Sequence, residues 1–476
     1  MRRQKGEITV FLSLVLTILI SVLFTVIEAA RTNAVQFQAE CVTDMALQSA
    51  LAEYNRELLE QYELFFIDMG YGTEESGYIL LEQHITDYME KNFHADSSFF
   101  SGEIRDLLRI YTESVTILQA AGALDGDGEV VERKAVDYML DRYGLLDLSQ
   151  IGKDVDTVQE NELMSDKMEK KRRENEEKIR SVDTTVEDED GKKKKIPINN
   201  PADKINSKRG SSRILKLVTK EKPVSEKEIR PEEYISHKEY KEKDGFLLNE
   251  NSVTKAEDFV FQKYLMEKCG RYTDKKEGSF LDYQMEYILA GKSSDEENLR
   301  SVVNKLLVIR ETANFMYLMT DSDKQAQAEA VAAALAVVIF FPELKDLIKL
   351  SLLIGWAYAE SINDVTILLN GGNVPLWKDS KSWKLSLKNA LKLEVDGEGS
   401  GEGLSYEQYL HILLAFMDRK ERNMRFMDIM EMDIRQTPGN KNFCMNQCIH
   451  SFTAEIVINS KTGHGCLINR TVGYIK

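Results

Sequence analysis

Residues 8–27 read ITVFLSLVLTILISVLFTVI, twenty residues without a charge, bounded by Glu7 and Glu28. At about 1.5 Å of rise per residue, a helix of that length just crosses a hydrocarbon core of roughly 30 Å. Arg2, Arg3 and Lys5 precede it. Basic residues stay on the cytoplasmic side of a membrane, which predicts an N-in, C-out chain. The competing reading is a cleaved secretory signal. That needs a shorter apolar run, about 7–15 residues, and a small-x-small exit. Here the run is longer and leaves through Val26-Ile27-Glu28-Ala29-Ala30-Arg31. The expectation is an uncleaved single-pass anchor in the cell membrane with the bulk of the chain extracytoplasmic. The segment says where this chain resides more firmly than what it does.

The length of 476 residues allows two or three domains, and a hydrophobic content of 43% is enough for a core. The chain carries 79 acidic against 62 basic residues, a net charge of −17. Such a surface repels nucleic-acid phosphates, and the acidity reads as solubility. Five cysteines are few and odd in number. Outside the cytoplasm a disulfide among Cys444, Cys448 and Cys466 is permitted. Cys444 and Cys448 stand in C-x-x-x-C spacing without a second ligand pair at a zinc-site interval, so structural cysteines are the preferred reading over a metal site.

Past the span, residues 28–66 contain no Pro or Gly. Leu47, Leu51, Tyr54, Leu58, Tyr62 and Phe65 recur at helical spacing, which predicts one apolar packing stripe on a stem helix continuous with the span. Gly70 and Gly72 close it. Residues 67–153 read as a helical subdomain, with helices over 79–93, 103–121 and 129–143. Composition then shifts. The stretch 154–250 includes EKKRRENEEK and DEDGKKKK and four of the seven prolines. It reads as a charged, largely disordered insert, with a solvated helix in part of 160–180. Helices return over 256–268, 280–289, 296–319, 325–341, 344–359, 404–418 and 421–435. The segment 330–359 is too short and too broken for a second span and reads as a buried helical hairpin. Alternation around Phe452, Ala454, Ile456 and Ile458, a turn at 461–465 and a return strand predict a C-terminal β-hairpin. The domain scheme is therefore a basic tail (1–7), a transmembrane helix (8–27), a stem (28–66), a helical subdomain (67–153), the insert (154–250) and a helical domain ending in the hairpin (251–476). The fold class is mainly α, within α+β.

No catalytic signature, cofactor motif or metal motif emerges. H-E-x-x-H, G-x-S-x-G and Walker patterns are absent. The run GEGSGEG at 397–403 follows no clear strand and carries glutamates that repel phosphate, so it reads as a flexible linker. Asp125-Gly126-Asp127-Gly128-Glu129 lacks the glycine an EF-hand needs at position 130 and reads as a polar turn before a helix. The span itself carries the more specific pattern. Thr9, Ser13, Thr17, Ser21 and Thr25 recur every four residues as one row of small hydroxyl residues. Small residues let helices approach closely in lipid, so the row reads as a docking face for another membrane helix. The alternative is that each hydroxyl bonds back to its own helix. Glu28 and Arg31 are spaced to pair where the helix leaves the lipid.

The opening residues resemble TadE/TadG-like pseudopilins, accessory proteins of the Tad (Flp) pilus machinery. The resemblance rests on Lys5-Gly6, Val10-Phe11, the apolar span, and Glu28-Ala29-Ala30-Arg31. It makes Gly6 and Glu7 a candidate prepilin-peptidase processing site. In processed members a Glu stands five positions after the Gly, whereas that position here is Phe11, so an unprocessed TadG-like anchor fits better. The remainder is similar to an uncharacterised bacterial family with the same anchor, through YILAGK at 287–292, WAYAES at 356–361 and MDIME at 427–431. The resemblance implies a non-enzymatic accessory component of a Tad-like pilus or secretion apparatus, partnered by other membrane helices. The rival expectation is a membrane-tethered extracytoplasmic enzyme whose site is assembled from scattered carboxylates and His within 254–450.

Overall fold

The computed structural model describes residues 4–75, 77–93, 108–144, 149–182, 185–187, 193–195, 198, 200, 202–211, 213–240, 254–338, 341–397, 399, 401–461 and 463–474. The protein is mainly helical with a small antiparallel sheet built on its C-terminal hairpin. In chain order come α1 (Gln4–Leu51), α2 (Arg56–Tyr62), β1 (Ile67–Asp68), α3 (Ile79–Phe93), β2 (Ile110–Gly122) and α4 (Asp125–Tyr143). The charged stretch and the residues just before it supply α5 (Ser149–Ser181), a short hairpin of β3 (Thr185–Glu187) and β4 (Lys193–Lys195), α6 (Asp203–Asn206) and α7 (Ile214–Val218). Then follow α8 (Lys255–Lys268), α9 (Gln284–Ala290), α10 (Asp295–Thr320), α11 (Ser322–Val338), α12 (Lys345–Leu369), α13 (Leu387–Lys392), α14 (Tyr406–Ala415) and α15 (Arg419–Arg435). The chain closes with β5 (Cys448–Ser460) and β6 (Gly465–Gly473). Two compact units result: unit 1 is Met1–Lys134, Glu239–Ser252 and Ile434–Lys476, and unit 2 is Ala135–Lys238 and Val253–Asp433.

In unit 1 the second half of α1 lies in the core. Val35, Ala39, Val42, Ala46, Leu47 and Ala50 share one helical face and are buried with Ile85 and Met89 of α3 and with Phe452, Ala454, Ile456 and Ile458 of β5. Three of those six are alanines, which keep the helix axis close to its neighbours. β5 is the central strand. It pairs antiparallel with β2, with β6 and, at its start, with β1. Its alternate residues point into the core, as the period-2 pattern requires.

Four expectations for this unit are corrected. The stem does not run to residue 66: α1 stops at Leu51, and Asn55 caps a separate α2 by accepting from the Leu58 amide at 3.0 Å. An Asn side chain satisfies the first amides of a new helix better than a continuing one, so the chain restarts there. Of the expected stripe, Leu47, Leu51, Leu58 and Tyr62 are buried, Tyr54 is half-buried and Phe65 is exposed, so the six do not form one helical face. The helix predicted over 103–121 is, from Ile110, a strand. Val115, Thr116 and Ile117 are β-branched, and pairing with β5 over its whole length outweighs local helix propensity. Residues 67–153 are therefore no separate helical subdomain: β1, α3 and β2 belong with the C-terminal hairpin.

Unit 2 is a helical body around α12, which is buried along nearly its whole length and packs with α10, α11 and α5. This corrects the expected insert. Within 154–250, α5 lays Met168, Asn175 and Ile179 inward, and Ile205, Ile214, Leu215, Val218 and Ile235 are all buried. Sparse apolar residues suffice because these are almost fully covered. Residues 241–250 lie outside the described residues. The seven helices expected between 256 and 435 all appear, six of them within a few residues of the expected bounds; the one expected over 344–359 runs on to Leu369, and its stretch Ser351–Leu369 is entirely buried.

Candidate functional site

The span is the exposed half of α1. Residues 8–34 are all exposed, and the apolar window within Ile8–Leu51 has a mean hydropathy of 2.9 with none of it buried. An uninterrupted apolar surface of that length is far beyond what a soluble protein leaves uncovered. It is compatible with a membrane anchor. Gly6 and Glu7 fall in the first turns of α1, and their side chains lie outside the described residues.

The hydroxyl row lies along this exposed helix, and three of its five hydroxyls turn inward to their own backbone. Ser13 donates to the Val10 carbonyl at 2.8 Å, Thr17 to Ser13 at 2.8 Å and Thr25 to Ser21 at 2.9 Å. Thr9 and Ser21 stand on the same row. With their donors used within the helix, Ser13, Thr17 and Thr25 offer small size and a close approach rather than cross-helix hydrogen bonds.

Glu28 and Arg31 stand 3.9 Å apart with both side chains half-exposed. Glu28 has a closer partner that one-dimensional spacing could not reveal: His464 Nε2, in the β5–β6 turn, lies 2.9 Å from its carboxylate. Arg470 of β6 reaches Asp44 of α1 at 3.0 Å. The hairpin therefore grips α1 from the end of the apolar span onward. Beyond the end of α1, the Glu53 carboxylate accepts from Tyr71 and Tyr88, each at 2.7 Å, and meets His84 Nδ1 at 3.0 Å. Desolvation raises the Glu53 pKa, and these three partners outweigh it, leaving a carboxyl below its usual range.

The five cysteines are thiols. Cys448 Sγ points to the Cys444 carbonyl at 3.7 Å, while Cys466 sits on β6 opposite Ile458. Burial raises the thiol pKa of Cys466 and pushes that of Cys269 up to about 12, so both stay protonated at neutral pH.

The scattered carboxylates of unit 2 do converge, in its interior. Glu360 and Asp364, one turn apart on α12, meet Arg310 of α10 and Lys378 of the following loop, and all four side chains are at most 1% exposed. Lys378 Nζ lies 2.8 Å from Glu360 and 2.6 Å from Asp364. Arg310 donates to Asp364 at 3.1 Å, to the Leu376 carbonyl at 2.9 Å and to Tyr409 at 3.0 Å. Glu360 also accepts the Lys384 and Leu385 amides at 3.0 and 2.8 Å. Two anions thus balance two cations, and the cluster ties α10, α12 and the 376–385 loop together. The same pattern recurs. Asp428 accepts from the Ser236 amide and the Tyr287 hydroxyl at 2.9 and 2.7 Å, and Glu286 accepts from Tyr406 and the Tyr272 amide at 2.7 and 2.9 Å. Burial raises the carboxyl pKa of Glu360 and Asp428, and that of Glu286 to about 7.

His411 and His450 are held neutral by burial, pushed down to about 4 and about 3. Among the described residues, no group of three or more His, Cys, Asp or Glu is arranged to hold a metal. Two surface cavities of unit 2, a groove of about 890 Å³ and a cleft of about 420 Å³, are lined by none of the buried carboxylates just described. Sequence reasoning missed the Arg310 cluster. Its signal was present: charged residues in the otherwise apolar runs LLVIRETANF and WAYAESINDVTILL can only be buried in pairs.

The glycine run also differs from a slack linker. The Gly397 amide donates to Asn363 at 3.0 Å, and the Val374 and Leu404 amides each donate to the other residue's carbonyl at 3.0 Å, pinning both ends. At Gly403 (φ +110°) an added Cβ would lie 2.2 Å from the Pro375 nitrogen, so only glycine permits this approach.

These features define a chain with one long, exposed apolar helix built into a sheet-bearing unit, joined in sequence to a helical body. Residues 191–460 match a family of unknown function, DUF5702, and the chain belongs to that family. No curated protein and no solved structure matches it.

Proposed function

We propose that this protein is a non-enzymatic, single-pass membrane protein of the bacterial envelope, N-in and C-out, acting as a pseudopilin-like or accessory component of a Tad-like pilus or secretion apparatus. The observation that carries the reading is the continuity of α1. One unbroken helix is wholly exposed and apolar over residues 8–27 and becomes the core element of unit 1 from Val35. A helix docked side by side with others in the membrane would then set the orientation of unit 1 rigidly, which is what an assembling subunit needs. The basic residues Arg2, Arg3 and Lys5 support the orientation. The use of the buried carboxylates as structural ties supports the absence of catalysis in this reading.

The row from Thr9 to Thr25 is the face that partner membrane helices would meet. Replacing Thr17 and Ser21 together by Leu keeps the span apolar and removes the close approach. The expected result is an intact, membrane-bound protein that recovers its partners from native membranes several-fold less well. Equal recovery of partners would sink the docking face.

A further inference from the structure

The groove in unit 2 runs against the charge of the whole chain. On a protein of net charge −17, its lining includes Lys204, Lys208, Arg213, Lys216, Lys220 and Lys392, with Glu221 as its one carboxylate. Five of these cations come from the short stretch 204–220, which the fold fixes in place. Ile205, Ile214, Leu215 and Val218 are buried, which turns the basic side chains outward. Gly355 of α12 lets this stretch lie close: a Cβ there would meet Ala202 at 3.2 Å and Ile205 at 3.4 Å.

Two of the cations are partly engaged. Lys392 stands 3.5 Å from Glu394, and Lys220 donates to the Asp396 carbonyl. Among the described residues, no carboxylate lies at ion-pair distance from Lys204, Lys208, Arg213 or Lys216. Holding these like charges around one concavity costs repulsion, and a groove focuses the resulting field. The groove's volume, about 890 Å³, is in the range of ligand sites. Each exposed cation alone contributes little, so a ligand must engage several at once. Lysine dominates, and its ammonium is a point charge with three donors that suits phosphate oxygens without demanding a planar partner.

We propose that this groove binds an anion carrying two or more adjacent phosphate groups, either free in solution or as the headgroup of a phospholipid. The site lies wholly within unit 2 and is independent of the role assigned to the membrane helix.

The test uses the full-length protein in nanodiscs of zwitterionic lipid, titrated with tripolyphosphate by calorimetry at low salt. Saturable one-site binding is expected, weakening as salt rises because counterions are displaced. Lys208→Gln with Lys216→Gln should weaken it by at least about tenfold, the loss of two charge-assisted contacts. Lys381→Gln with Lys384→Gln, exposed cations of the same unit outside the groove lining, should leave it within about twofold, since lone exposed charges contribute little. Nanodiscs containing a bisphosphorylated lipid should compete with tripolyphosphate if the source is a headgroup, and leave binding unchanged if the ligand is soluble. The proposal is overturned by absent binding at low salt, by equal loss in both double variants, by orthophosphate binding as tightly as tripolyphosphate, or by tighter binding of a polyglutamate peptide.

Discussion

Replacing Lys378 by methionine is expected to destabilise unit 2 by about 3–5 kcal/mol, the cost of breaking a buried ion pair by removing one partner. The side chain is 1% exposed and serves two carboxylates, Glu360 and Asp364, as well as the Ser382 carbonyl at 2.9 Å. Without it, Asp364 keeps Arg310, but Glu360 is left with two backbone amides for its negative charge. Domain stabilities are only about 5–15 kcal/mol, so the loss is a large fraction of the whole. The chain's three tryptophans, Trp356, Trp377 and Trp383, all lie in unit 2, so the urea midpoint of tryptophan fluorescence reads this unit directly. Burial already raises the Glu360 pKa, and loss of Lys378 raises it further. A carboxyl with a raised folded pKa is tolerated when protonated and costs stability as pH rises through that pKa. The deficit of the variant should therefore grow with rising pH. Adding Glu360→Gln should return part of the loss, through the coupling of two contacting residues. An unchanged midpoint in the single variant would show that the cluster does not hold the unit together.

Leu47→Asp is the second large effect, expected at about 3 kcal/mol or more in unit 1. Leu47 is fully buried among α3 and sheet residues. The substitution removes its packing and buries a carboxyl in an apolar cluster, and both changes cost. Limited proteolysis and hydrogen exchange at the β5 amides should show the sheet opening. Leu47→Met should be nearly silent, because it conserves volume. Phe37→Asp, three turns earlier and 72% exposed, should leave the sheet protected. Equal protection in Leu47→Asp would mean that α1 is not the core element of the unit.

Local pattern carried the helices well. The capping box of Thr254 with Glu257 and the apolar spacing of the following segments lie within single elements, and the alternation in β5 does too. What sequence could not reach was decided by distant partners. β2 is a strand because β5, more than 300 residues later, needs an edge. The residues around 205–235 are ordered because the fold of unit 2 buries Ile205, Ile214, Leu215, Val218, Ile229 and Ile235 among them. The end of α1 was legible in Asn55, an N-cap residue ahead of Arg-Glu-Leu-Leu, but the absence of Gly and Pro outweighed it. The hydroxyl row and the Glu28–Arg31 pair were visible as spacing, whereas the His464 contact on Glu28 exists only in three dimensions. The basic groove was hidden because its lysines come from a stretch whose overall charge is mixed.

The central claim is that α1 crosses the membrane and carries the rest of the chain outward. Cys41 tests it. This residue is exposed on α1, fourteen residues beyond the span and so about 20 Å past the lipid edge. With Cys444 and Cys466 replaced by serine, a membrane-impermeant maleimide added to intact spheroplasts should label membrane-bound protein at Cys41, and Cys41→Ser should abolish the signal. Labelling only after permeabilisation, or recovery of the protein in the soluble fraction, would contradict the account.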